Sequence, residues 1–130
     1  MKSKFKKVLC MLLVICLMGS VPVEAYSSAY KADFEITGGV YVQKHWDLDK
    51  GGKLKIITNC SNPWGNESDN LVVIVQRKVG VVWKKEQVYY HTFSGKSCST
   101  FTAPKDGTYR IYIRESGDGV PITGRLCVRY

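Results

Sequence analysis

FTAPKDGTYRIYIRE, running from Phe101 to Glu115, reads as the end of one strand, a tight turn and a second strand. Tyr109, Ile111 and Ile113 alternate with Arg110, Tyr112 and Arg114. A period of two sends successive side chains to opposite faces, as a strand buried on one side requires. Pro104-Lys105-Asp106-Gly107 is the turn: proline presets φ, and Asp-Gly supplies the backbone freedom that reverses the chain. Phe101 closes the preceding strand with its ring expected in the core.

Outward from this hairpin the same rhythm recurs. Lys53 to Thr58 alternates, with Leu54 and Ile56 inward. Leu71 to Gln76 is nearly all apolar and reads as a central strand covered on both faces. Val81 to Tyr90 offers two apolar sets, Val81, Trp83 and Tyr89 or Val82, Val88 and Tyr90. A bulge near Lys85 reconciles them. Ser97 to Thr102 and Arg125 to Tyr130 complete the series, with Leu126, Val128 and Tyr130 inward. Phe34 to Thr37 and Val40 to Gln43 come earlier, split by Gly38-Gly39. Asn62 to Asn70 and Ser116 to Gly124 read as loops. Seven to nine strands and no helix argue for an all-β, antiparallel two-sheet sandwich, jelly-roll or Ig-like. The expected core is Leu54, Ile56, Val73, Val75, Trp83, Phe101, Tyr109, Ile111, Ile113, Leu126 and Val128.

Thr102-Ala103-Pro104-x-x-Gly107-Thr108-Tyr109, followed by Ile111 and Ile113, is similar to bacterial pre-peptidase C-terminal domains and related small secreted jelly-roll modules. The likeness extends loosely over residues 51–130. It implies a two-sheet sandwich and no catalytic residues.

Met1 to Ala25 reads as a secretory signal peptide. Lys2, Lys4, Lys6 and Lys7 make a basic start, and Val8 to Met18 is an apolar run of 11 residues, too short to span a bilayer. Val23-Glu24-Ala25 offers a cleavage site, so a secreted chain of 105 residues is expected, free or held at the cell surface, with no membrane span left. Residues 26–33 are expected to be a flexible lead-in and residues 34–130 a single domain. Removing four lysines and Glu24 lowers the formal charge from +8 to +5. Such a mild excess suits solvated strand faces, or attraction to an anionic polymer. A specific nucleic-acid partner is not expected. The lysine-rich start reads as bacterial, which leaves the sequons at Asn59 and Asn66 without meaning.

Three cysteines remain: Cys60, Cys98 and Cys127. In an oxidising space one disulfide and one thiol is the simplest arithmetic. Two arguments for the pairing pull apart. Cys60 ends one strand and Cys98 begins another, as in neighbouring antiparallel strands. Cys98 and Cys127 instead share a phase, both out of step with inward residues. Cys60–Cys98 is the expectation adopted, with Cys127 free or an alternative partner. That bridge closes a loop of about 39 residues and contributes about 4 kcal/mol in the chain-entropy model.

Catalysis is not expected. His45 and His91 are the only histidines, and no metalloprotease helix, nucleophile elbow, phosphate loop or paired-cysteine motif occurs. Asp47-x-Asp49-x-Gly51 lacks the third acid that a calcium loop needs, so no metal and no cofactor is expected. The aromatic residues carry the functional expectation. Trp46 with His45 and Asp47, and Trp64 with Asn66 and Asp69, are candidate ligand-binding groups, because sugar-binding surfaces set flat rings beside polar side chains. The alternative is that each tryptophan plugs an end of the sandwich, which is the more common use of a loop tryptophan. Two functions follow. One is a secreted, non-enzymatic protein that binds an extracellular or cell-surface ligand, a glycan or an anionic wall polymer. The alternative is a secreted protein-interaction factor: an inhibitor, a toxin partner or an assembly component.

Overall fold

The computed structural model describes residues 26–61, 70–115 and 119–130. The expected signal peptide, Trp64, Asn66 and Asp69 lie outside them. Nine strands occur among the described residues: β1 (Ala29–Ile36), β2 (Gly39–Tyr41), β3 (Trp46–Leu48), β4 (Lys53–Ser61), β5 (Asn70–Val79), β6 (Val82–Thr92), β7 (Gly95–Thr102), β8 (Gly107–Glu115) and β9 (Ile122–Arg129). They form two antiparallel sheets. The four-stranded sheet has the order β1-β9-β4-β7. The five-stranded sheet has the order β2-β8-β5-β6, with β3 also paired to β8.

Counting β2 and β3 as one interrupted strand gives eight positions along the chain. The first pairs with the last, the second with the seventh, the third with the sixth and the fourth with the fifth. This is a long hairpin folded over on itself, the jelly-roll order of the two all-β alternatives. The core fills the space between the sheets. Leu54 and Ile56 come from β4, Val73 and Val75 from β5, Ile111 and Ile113 from β8, and Val128 from β9, each at most 1% exposed. Fully burying each of these side chains contributes about 1.5–3 kcal/mol.

The Phe101–Glu115 reading holds in detail. Tyr109, Ile111 and Ile113 are buried, and Phe101 packs on Tyr109 with ring centroids 5.3 Å apart. The Tyr109 hydroxyl donates to the Lys105 carbonyl, which ties the turn to the core. The expected bulge is present: Gln87 pairs with Val75 and Lys85 with Gln76, leaving Glu86 as the extra residue. Its carboxylate turns to Arg77 at 2.7 Å. Gly80 at φ 62° starts a two-residue turn closed by Val79 and Val82, the position where such turns call for glycine.

Three expectations need correction. Strand β1 begins at Ala29, inside the expected lead-in, because Tyr30 packs edge-on against Trp46. Trp83 is not in the core: the bulge puts it on the outer face of its sheet with Val88 and Tyr90. The Cys60–Cys98 bridge is not formed, and all three cysteines are free. Cys60 is buried between the sheets opposite Gly95, whereas Cys98 is exposed on the outer face opposite Ile57. No helix among the described residues is long and apolar enough to cross a membrane.

Candidate functional site

Alternation on β8 that sends Tyr109, Ile111 and Ile113 inward sends Arg110, Tyr112 and Arg114 outward. Strand pairing places their neighbours. Tyr112 lies beside Ile74 on β5 and Tyr41 on β2. Arg110 lies beside Gln76, whose own neighbour on β6 is Lys85. Trp83, two residues from Lys85, stands on the same face because Glu86 is bulged.

These side chains form a continuous stack across the outer face of the five-stranded sheet. The Arg110 guanidinium lies 4.1 Å from the Tyr41 ring centre and 4.3 Å from that of Trp83. Tyr41 stacks on Tyr112 at 4.5 Å with a tilt of 34°. His45 meets Trp83 edge-on at 5.0 Å. Arg110 Nε donates to Gln76 Oε1 at 2.7 Å, which fixes the plane of the guanidinium. At the far end Tyr112 lies over Gly39, where a Cβ would overlap its hydroxyl. Glycine is required there by the close approach of the ring. Around the stack lie exposed Tyr90 and half-buried Ile74 and Val88. Each cation–π contact stabilises the stack by about 0.5–1 kcal/mol or more, so the surface is held in one shape before any partner arrives.

The residues singled out in the sequence are dispersed. His45 is exposed and joins the stack. Trp46 is 3% exposed and points inward, meeting Tyr30 and Tyr130 edge-on at 6.0 and 6.2 Å. It plugs one end of the sandwich and offers no open ring face. Asp47 accepts from the Thr108 hydroxyl at 2.6 Å, on the opposite side of β3 from Trp46. In the sequence Tyr41 carries no signal, Tyr112 is only a strand residue, and the alternation around Trp83 points it inward. The outward set Arg110, Tyr112 and Arg114 was visible, but its company on β2 and β6 depends on register.

His91 is one of three buried polar residues among the described ones, with Thr58 and Glu115. It is 2% exposed, with Thr58 Oγ1 2.6 Å from Nδ1 and Ser99 Oγ 2.7 Å from Nε2. Burial lowers its pKa below the ordinary 6.5, so the ring is held neutral. It joins β6 to β4 and β7, one sheet to the other. Burial raises the Cys60 thiol to about 11, partly offset by a hydrogen bond with Thr58.

Neither a protein-family model nor a curated protein matches this sequence, so the likeness to pre-peptidase C-terminal domains goes no further than the sandwich. Among solved structures, the Yersinia pseudotuberculosis-derived mitogen YPM superposes with a TM-score of 0.44 at 11% identity, over 78% of this chain and 83% of that one. Aeromonas hydrophila PliG, a periplasmic lysozyme inhibitor of g-type lysozyme, superposes with a TM-score of 0.45 at 15% identity, over 82% and 87%. Similarity at this level carries no functional information.

Proposed function

We propose that this chain is a secreted, non-enzymatic protein-interaction factor whose contact surface is the outer face of the five-stranded sheet. The observation that supports it is the Arg110 guanidinium held between Tyr41 and Trp83 at 4.1 and 4.3 Å. Tyr, Trp and Arg are the residue types that carry most binding energy at protein interfaces. Locking their rotamers beforehand removes part of the ordering cost of association. Exposed Tyr90 extends the apolar area, and Arg114 and Lys85 give it a charged rim.

The same stack disfavours a glycan. Sugars pack on open ring faces, whereas Arg110 covers one face of Tyr41 and one of Trp83. Secretion rests on the reading of residues 1–25.

Photocrosslinking tests the proposal. A photoreactive residue replaces Tyr90, and a control replaces Thr100 on the other sheet. Each protein is exposed to conditioned medium from its source cells. A discrete protein adduct is expected from position 90 and none from position 100, with Trp83→Ala lowering the yield about tenfold. Retention on polysaccharide alone, or equal yields at both positions, would overturn it.

A further inference from the structure

We infer that the outer face of the four-stranded sheet is a second contact surface, for a linear polymer carrying one phosphodiester per repeat, of the poly(glycerol phosphate) kind. The argument is independent of the aromatic stack. The strand alternation that buries Leu126 and Val128 turns Arg125 and Arg129 outward on β9. In the same way Lys55 faces out from β4, Lys31 from β1 and Lys96 from β7. The register sets Lys55 directly opposite Arg129. Like charges in that position cost stability, and nothing in the core requires them there. An anion bridging the two removes the repulsion.

Among the described residues only Arg125 of this set has an ion pair, with Asp33 at 2.9 Å. The carboxylates of the face, Asp33 and Glu35, both sit on the edge strand β1. Neighbouring strands are about 4.8 Å apart, and same-face residues along a strand about 6.8 Å. The cations therefore form a shallow grid on which successive phosphates of an extended chain can rest. An arginine fork beside a lysine point charge suits phosphate oxygens.

Two other polyanions fit less well. The described part of this face carries no aromatic side chain, so it has no platform for nucleic-acid bases. Among the described residues, every exposed large hydrophobic belongs to the other sheet or its hairpin, so the described part of this face has no apolar group to insert into a bilayer.

Immobilised poly(glycerol phosphate) is the probe. Expected is binding at about 50 mM salt that falls at least tenfold by about 200 mM. Lys55→Gln with Arg129→Gln should weaken it at least tenfold, and Arg110→Ala on the other sheet should leave it unchanged. The double variant relieves a repulsion, so its melting temperature should not fall; this separates lost contact from lost fold. Absence of binding at about 50 mM salt overturns the inference. So does equal binding to single-stranded DNA, to anionic vesicles or to polyglutamate, and so does loss in Arg110→Ala equal to that in the double variant.

Discussion

At the scale of single residues, His91 is where the environment most alters chemistry. Its two ring nitrogens each meet a hydroxyl, and one N–H serves one of them while the other hydroxyl donates back. The neutral ring satisfies both partners, and a protonated ring would have two donors and a buried charge. Because burial lowers the folded-state pKa below 6.5, the unfolded chain binds more protons between the two values. Stability from this group is thus fully present above about pH 6.5 and is lost as pH falls towards the lowered folded value. His91→Gln is expected to cost about 1–3 kcal/mol at neutral pH, since one hydroxyl loses a good partner. It should also flatten the acid dependence. Urea midpoints for both proteins from pH 7.5 to about pH 5 check this; parallel curves would show that His91 does not carry the proton linkage. None of it was legible in the sequence, where His91 reads as a strand-end residue beside Tyr90. Its burial follows from β6 packing over β4 and β7, a long-range fact.

At the scale of elements, what the sequence revealed was whatever depends on alternation and turns. The β7–β8 hairpin, the β4 pattern, the covered β5 and the bulge near Lys85 are local. Which outward residues meet is decided by pairing between distant strands, so the stack stayed hidden although Arg110 and Tyr112 stood in the first stretch read. The bulge was anticipated but its effect on Trp83 was not, because one extra residue changes the face of everything beyond it. Gly39 gives the sharpest test of the stack as a unit. An added Cβ would overlap the Tyr112 ring, so Gly39→Ala must expel that ring from its place against Tyr41. A loss of about 0.5–1.5 kcal/mol is expected, the size of an aromatic pair. In a Tyr112→Ala background the same substitution should cost almost nothing, because the clash has gone. The double-mutant cycle from denaturant midpoints reads the coupling directly; additive costs would mean that the glycine matters for another reason.

At the scale of the whole molecule, the folded-over hairpin decides what the cysteines can do. The shared phase of Cys98 and Cys127 was a correct reading of the sequence, and the structure puts both on the outer face of the four-stranded sheet, each opposite Ile57. Phase alone could not show that β4 runs between them. Their backbones are two strand spacings apart, about 9.6 Å, beyond the roughly 7 Å that a disulfide can bridge. Cys60 faces the core, with its thiol raised to about 11 and so a poor nucleophile. Oxidation within one molecule therefore has no route that leaves the sheet intact, and the staple first assigned to Cys60–Cys98 contributes nothing. Between molecules the route is open at Cys98, which is exposed on the edge strand β7. Cys127, half-buried on the interior strand β9, is less accessible. Treatment of the folded protein with diamide should give a disulfide-linked dimer on a non-reducing gel, reversed by reductant and abolished by Cys98→Ser. Cys127→Ser should leave most of it. Alkylation of the untreated protein, followed by intact mass, should label Cys98 first and Cys60 only after unfolding. An intramolecular bridge in the native protein, or dimers that persist in Cys98→Ser, would mean that β7 and β4 are not paired as the register has them, and the strand order of the sheet would have to be redrawn.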